Sequence, residues 1–164
     1  MRFFLLFLAV LGLSAVPADQ AAKAEPRETD HPETRSFDES ANAAVQLEAA
    51  LERAQLSDKR VIVVMGANWC HDSRGLAGWF TEPRFAAMLE PKYEILYVDV
   101  GQKDRNIDIA QRFGIKSIKG TPTVLVLSSE GALLNRKSAP KWRDAASREE
   151  DDIFAYFDQF TPEP

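Results

Sequence analysis

The chain has 164 residues, a single cysteine, two histidines and a formal net charge of −5. This mild acidity argues against nucleic acid or an anionic membrane surface as a partner. A lone cysteine excludes an internal disulfide framework. It leaves three roles for Cys70: a reactive thiol, an intermolecular bridge or a buried apolar side chain.

The first 18 residues have the layout of a secretory signal. Arg2 precedes an apolar run over residues 3–16, and small residues follow up to Ala18. We expect cleavage after Ala18, or after Ala24 at a second site, because the run is shorter than the roughly 18–20 residues that span a bilayer. An uncleaved anchor is the alternative. Cleavage predicts an exported protein, periplasmic if bacterial and otherwise secreted, with no transmembrane segment after processing.

Residues 19–35 are rich in Ala, Pro, Glu, Asp, Lys and Arg and carry almost no large apolar side chain. Such a segment buries too little surface to offset its ordering entropy, which predicts a flexible tether with a solvated His31. The rest of the chain, residues 36–164, has the length of one domain with one core.

Helix and strand patterns alternate along this domain. Ser36 and Glu39 form a capping-box pattern ahead of apolar residues at helical spacing over 44–54. A Val-rich run over residues 60–66 predicts a buried strand. The pattern then predicts a helix opening at Cys70, a short helical piece from Pro83 to about residue 89, and a strand over residues 93–100.

The second half of the domain continues this alternation. Asp104 is predicted to cap a helix that stops at Gly114. A strand over residues 122–128 and a return strand over 132–135 form a predicted hairpin. Ser147 and Glu150 form a second capping-box pattern before the last helix. This order predicts an α/β fold with a central mixed sheet flanked by helices, antiparallel at the hairpin.

Two motifs carry a resemblance to a known family. Trp69-Cys70-x-x-Ser73 follows the first strand directly, and Gly120-Thr121-Pro122-Thr123 stands about fifty residues later. Together they resemble the active-site segment and the substrate loop of the thioredoxin superfamily, over about residues 40–160. The resemblance implies the thioredoxin fold with an extra N-terminal helix. It also implies a cis peptide bond before Pro122, beside the reactive sulfur.

The position of Cys70 favours thiol chemistry. Cysteine reacts as the thiolate, and the unpaired N–H groups and dipole at a helix start stabilise that anion. Ser73 lies within the first turn, so its hydroxyl or N–H is expected to reach the sulfur. A protonated His71 would favour the thiolate and Asp72 would oppose it, and plain solvation of both is the alternative.

Four residues are predicted to form a substrate surface around the two catalytic candidates, Cys70 and Ser73. Trp69 is most simply a surface aromatic residue that shields the thiol and offers a flat face to a bound peptide, with core packing as the alternative. By resemblance, the backbone of Thr121 before Pro122 pairs with a substrate strand. His71 completes the surface.

Two residues depart from the family pattern. Ser73 stands where the superfamily carries its resolving cysteine, so no internal disulfide can close. Val64 stands where many thioredoxins carry a buried Asp that assists proton transfer to the second thiol. Both departures argue against an ordinary dithiol cycle.

The leading hypothesis is therefore an exported monothiol protein that exchanges disulfides with client proteins through Cys70. An external thiol such as glutathione would resolve the mixed disulfide, and no bound cofactor is expected. The alternatives are a non-catalytic module that binds client thiols or peptides, and a homodimer linked through Cys70. No metal site is expected, because Cys70, His71 and Asp72 are consecutive and no other ligands stand at zinc-like spacing.

Overall fold

The computed structural model describes residues 31–160 of the chain. The predicted signal segment, residues 1–18 or 1–24, lies outside the described residues, and so does the predicted tether up to residue 30. Among residues 31–160, no helix combines the length and apolarity needed to cross a bilayer.

The described residues fold around a three-stranded sheet in the order β2-β1-β3. Its strands are β1 (Arg60–Gly66), β2 (Tyr93–Asp99) and β3 (Thr123–Leu127). The central strand β1 pairs parallel with β2 and antiparallel with β3. The predicted α/β fold with a mixed sheet is thus confirmed.

Helices flank this sheet, and the extra N-terminal helix is present. In chain order they are α1 (Ala43–Ser57), α2 (His71–Trp79), α3 (Pro83–Leu89), α4 (Ile107–Arg112) and α5 (Glu150–Asp158). A 3₁₀ turn over Ala145–Ser147 precedes α5. As predicted, Pro83 opens α3, where its fixed φ suits the first helical position.

The side chains of β1 alternate between two hydrophobic clusters, as the two-residue period of a strand requires. Val61, Val63 and Met65 pack with α1 and α4 on one face of the sheet. Ile62 and Val64 pack with α2, α3 and α5 on the other. Because both faces are covered, β1 is buried almost along its whole length, which explains its continuous apolar sequence.

The predicted capping box of Ser36 and Glu39 is wrong. Helix α1 begins at Ala43, and its N-cap is Asn42, whose Oδ1 accepts a hydrogen bond from the N–H of Val45 at 3.1 Å. Upstream, the side chain of Asp38 accepts from the N–H of Ser40 and holds a turn instead of a helix. Asn and Ser are equally good N-cap residues, so Asn42 can cap the helix in place of Ser36.

Two other predicted caps also serve turns. The Asp104 side chain accepts from the N–H of Gln102, and α4 follows Asn106 instead. The Ser147 hydroxyl donates to the carbonyl of Asp144 within the 3₁₀ turn, ahead of α5. In each case the side chain bonds a nearby backbone group outside the helix, the competition that makes short polar residues frequent in turns.

The predicted return strand over residues 132–135 is reduced to a single bridge between Leu127 and Leu133. Beside this bridge, a side chain bonds to the backbone of β3. The Oδ1 of buried Asn135 accepts a hydrogen bond from the N–H of Val126 at 2.9 Å. The antiparallel component of the sheet therefore comes from β1 and β3, and the hairpin contributes little to it.

Residues 31–34, called the strap, lie against α2. The N–H of Thr34 donates to the carbonyl of Arg74 at 3.1 Å. The His31 side chain is only 9% exposed, so the expectation of a solvated His31 is wrong. The end of the predicted tether thus packs on the domain.

Two glycines of α2 explain this packing. A Cβ at Gly75 would come within 2.9 Å of the His31 ring, and one at Gly78 within 2.3 Å of the Pro32 carbonyl oxygen. Glycine costs a helix about 0.8–1.0 kcal/mol relative to alanine. In α2 the missing side chains form the groove that receives the strap.

Candidate active site

Cys70 stands at the junction between the central strand and the helix that follows it. It is the N-cap residue of α2, with extended backbone angles. Its N–H donates to the carbonyl of Ala67, and its own carbonyl accepts from the N–H of Arg74 at 3.1 Å. The thiol is free, and the residue is 8% exposed. The predicted helix opening at Cys70 is confirmed.

The sulfur of Cys70 contacts the loop before β3. Its thiol donates to the carbonyl oxygen of Thr121 at an Sγ–O distance of 3.3 Å. The peptide bond between Thr121 and Pro122 is cis, as predicted. The hydroxyl of Thr123 donates to the carbonyl of Gly120 at 3.0 Å and ties the two ends of this loop together. The fold thus joins the two motifs that the sequence singled out.

Ser73 lies beneath this contact, in the interior. It is completely buried, and within residues 31–160 its Oγ has no hydrogen-bond partner. The expectation that its hydroxyl reaches the sulfur is therefore wrong. The side chain faces the end of β1 instead, where a Cβ on Gly66 would lie 2.5 Å from the Ser73 Oγ and 2.8 Å from the Phe37 ring.

Trp69 is the exposed aromatic residue beside the thiol. It is 49% exposed, which agrees with the surface interpretation and argues against the alternative of core packing. The indole Nε1 donates to the carbonyl of Gly101 at 2.9 Å. The buried carboxylate of Asp99 accepts from the N–H of that same glycine at 2.8 Å. The turn after β2 therefore fixes the orientation of the indole.

The two polar residues after Cys70 are held by protein groups, so the solvation alternative does not apply. The Nδ1 of His71 lies 2.7 Å from the Oε1 of Glu33 in the strap. The Oδ1 of Asp72 accepts from the N–H of Ala146 at 2.9 Å, which links α2 to the 3₁₀ turn.

Glu33 and Arg74 are site residues that sequence reasoning missed. The Nε of Arg74 donates to the Oε2 of Glu33 at 2.8 Å, and another of its nitrogens donates to the carbonyl of Asn68. Burial alone would raise the pKa of Glu33. The hydrogen bonds and positive charge of Arg74, with a further contribution from His71, outweigh burial and lower that pKa below its usual range.

One sequence signal could have found this neighbourhood. The chain has only two histidines, His31 and His71, and both lie in it, with ring centroids 4.7 Å apart. Nothing in the local pattern joins them, however, since 39 residues stand between the two positions.

A profile of the thioredoxin-like family matches residues 41–129, more than half of the chain. The chain belongs to this family. The match includes the Cys70 motif, the first two strands and the loop at Pro122. No curated protein sequence matches the chain.

Two solved structures are similar to the chain, and the first of them agrees with this assignment. A disulphide isomerase from Xylella fastidiosa Temecula1 is 28% identical, with a TM-score of 0.72, over 77% of this chain and 96% of that one. A Pseudomonas aeruginosa protein of unknown function is 22% identical with a TM-score of 0.39, over 68% of this chain and 74% of that one. The first similarity extends the thioredoxin-like fold over most of the described residues.

Proposed function

We propose that this thioredoxin-like protein is a monothiol thiol–disulfide oxidoreductase of the isomerase type, acting through Cys70. The single observation that carries the proposal is the contact between the Cys70 sulfur and the carbonyl of Thr121, before the cis Pro122. It brings a free thiol at a helix start next to a loop that can dock an extended peptide. The similarity to a disulphide isomerase supports the same chemistry.

The proposed reaction has two exchange steps. The Cys70 thiolate attacks one sulfur of a client disulfide, forms a mixed disulfide and releases the other client sulfur as a thiolate. A second thiol then attacks the mixed disulfide and regenerates Cys70. In an isomerisation that thiol belongs to the client itself, which forms a new client disulfide with no net oxidation. In a reduction it belongs to glutathione, which releases Cys70 and leaves the client joined to glutathione; a second glutathione then frees the client thiol and forms glutathione disulfide.

The chain's own residues set the limits of this cycle. Ser73 cannot act as a resolving nucleophile, and its burial keeps it away from an incoming client. Trp69 provides an exposed flat surface beside the thiol, held in place by Gly101. His71 contacts Glu33 in the strap. Clients are proposed to dock between Trp69 and the loop at Pro122.

The proposed place of action is outside the cytoplasm, with residues 1–18 as the export signal. Disulfides persist in such compartments, so client disulfides would be available there.

A non-catalytic binding module is the second candidate, and one observation favours it. The Cys70 residue is only 8% exposed. A client could therefore bind at Trp69 without its disulfide reaching the sulfur.

Turnover separates the two candidates. Residues 19–164 are incubated with glutathione and a client that carries scrambled disulfides, and recovery of native client is followed. We expect recovery that Cys70→Ser abolishes and that the matched variant Ser73→Ala retains. Client binding without recovery would support the module instead. A non-reducing gel of protein purified without reductant reports the Cys70-linked homodimer.

A further inference from the structure

We infer that His31, Glu33 and His71 form a binding site for a divalent transition-metal ion of the Zn²⁺ type. Each residue offers one ligand atom, and these three atoms all lie within 4.8 Å of one another. The site joins the strap to the first turn of α2, directly after Cys70.

The composition of the chain makes this cluster unusual. Its only two histidines come together in it, although one lies in the strap and the other in α2. Two imidazoles and one carboxylate are a ligand set that Zn²⁺, Cu²⁺ and Ni²⁺ accept, whereas Ca²⁺ and Mg²⁺ prefer oxygen ligands.

The ligand atoms can close around such an ion if the side chains move. The Oε1 of Glu33 lies 2.7 Å from the Nδ1 of His71 and 3.6 Å from the Nε2 of His31. Ligand atoms of a tetrahedral zinc ion, with bonds of about 2.0–2.2 Å, stand about 3.3 Å apart, so these two separations would change by about 0.6 Å and about 0.3 Å. The two imidazole nitrogens, at most 4.8 Å apart, would approach each other by up to about 1.5 Å, with the fourth position open to water.

The groove of α2 holds these ligands in place. His31 packs over Gly75, and the hydrogen bond from Thr34 to the carbonyl of Arg74 fixes the strap on either side of Glu33. Arg74 binds the Oε2 of Glu33 and leaves Oε1 facing the imidazoles. Such outer partners orient metal ligands. The positive charge of Arg74 also opposes a cation, so the affinity should fall below that of structural zinc sites.

The neighbouring candidates for coordination are occupied elsewhere. The Cys70 thiol donates to the carbonyl of Thr121, and Asp72 accepts from the N–H of Ala146. The sequence expectation of no metal site rested on the consecutive residues 70–72 and on the lack of other ligands at zinc-like spacing. The inferred ligands come instead from two segments that the fold brings together.

The experiment titrates Zn²⁺ into tag-free residues 19–164 in competition with a chromophoric chelator. We expect one ion per chain, and a loss of affinity of more than about tenfold in His31→Ala and His71→Ala, since even an outer partner of a ligand contributes about 10- to 100-fold. Glu33→Gln should lower the affinity as well. Its matched control is Glu48→Gln, which breaks another Glu–Arg pair, with Arg112, and should leave the affinity unchanged.

A second readout identifies the ligands without relying on those variants. Co²⁺ bound to the protein should give d–d absorption without a thiolate charge-transfer band, and the Cys70→Ser variant should bind Zn²⁺ with unchanged affinity. No stoichiometric binding, binding that both histidine variants retain, or a thiolate band lost in Cys70→Ser would each overturn the inference.

Discussion

The carbonyl oxygen of Pro32 lies so close to Gly78 that a Cβ there would come within 2.3 Å of it. Backbone thus meets backbone where the strap crosses α2, and neither side can yield as a flexible side chain would. A single methyl group added at Gly78 therefore tests whether the strap occupies the groove of α2.

We expect Gly78→Ala to displace the strap from α2. The N–H of Thr34 should then lose its partner, the carbonyl of Arg74, and exchange its hydrogen faster. Native-state hydrogen exchange of residues 31–35 measures this effect. Unchanged protection of Thr34 would contradict the packing of the strap on α2.

The effect of Gly78→Ala on the free energy of unfolding should change from destabilising to stabilising when the strap is absent. In a chain that begins at Ser36, Gly78→Ala should stabilise the protein by up to about 1 kcal/mol, because alanine favours the helix and nothing in the strap blocks the methyl group. Urea unfolding of the longer and shorter chains, each with and without the substitution, gives both values. Equal effects in the two chains would mean that the strap does not occupy the groove.

Glu33 should make the stability depend on pH in the acid range. Its pKa is lowered in the folded protein by Arg74 and His71 against the effect of burial. The ionised carboxylate therefore stabilises the fold above the unfolded value of about 4.3, and the contribution is lost as the pH falls through the lowered folded value. Because the side chains of Glu33 and Arg74 stay partly exposed, at 23% and 19%, and are screened by solvent, we expect about 0.2–1 kcal/mol.

Glu33→Gln isolates this contribution. The free energy of unfolding of the two proteins should differ at pH 6 and converge as the solution is acidified below about pH 4. Glu52→Gln is the control, since it removes an exposed carboxylate of α1 that lies away from the strap. A difference that grows on acidification would mean that the pKa of Glu33 is raised in the folded protein instead of lowered.

Asn135 should be among the most sensitive polar residues of the domain. Its side chain accepts from the N–H of Val126 and donates to the carbonyl of Val124 and to the hydroxyl of Tyr156. Asn135→Ala leaves two buried backbone groups of β3 without partners, at about 1–3 kcal/mol for each. We expect a loss of at least about 2 kcal/mol in urea unfolding.

The matched variant is Tyr156→Phe, which removes a hydroxyl from the same network but leaves the bonds between Asn135 and the backbone. It should cost about 0.5–1.5 kcal/mol. If both variants cost the same, the bonds from Asn135 to β3 contribute little to stability.

Ser73→Cys should introduce a dithiol activity that the natural chain lacks. The natural protein should not reduce insulin-type disulfides with a thioredoxin-reductase system, because it has no resolving thiol. The variant should gain partial activity, limited by Val64, which supplies no acid for proton transfer. A buried cysteine suits the interior position of Ser73.

The control for this gain is the double variant Cys70→Ser and Ser73→Cys, which keeps one thiol but moves it inward. It should be inactive in the same assay. Robust reduction by the natural chain would contradict the monothiol proposal, whatever the variant does.

Much of the fold follows from local patterns. The Val-rich run of β1, the helix opening at Cys70 and the start of α3 at Pro83 fall where the sequence predicts them. The failures share one cause. At Asp104 and Ser147 a short polar side chain offers a cap but binds a nearby turn instead, and after Ser36 the side chain of Asp38 holds a turn. Local pattern cannot rank two backbone partners of similar energy.

The candidate site also has parts that the sequence predicts and parts that it does not. Its motifs are contiguous, so the sequence predicts Cys70, Trp69 and Pro122, and the resemblance to a family predicts that they meet. The inward turn of Ser73 was not predictable, because it depends on the space left by Gly66 at the end of β1. A spacing of three residues on a helix start permits a contact with the sulfur but does not impose it.

The sequence by itself determines a lone thiol at a strand–helix junction, since neither its neighbours in the chain nor the missing second cysteine depends on packing. Tertiary structure alone decides what surrounds that thiol. The strap reaches His71 because Gly75 and Gly78 leave room for it, and Asn135 takes the place of a strand beside β3. Both contacts depend on shape and on unpaired backbone groups and therefore leave no periodic signal in the chain.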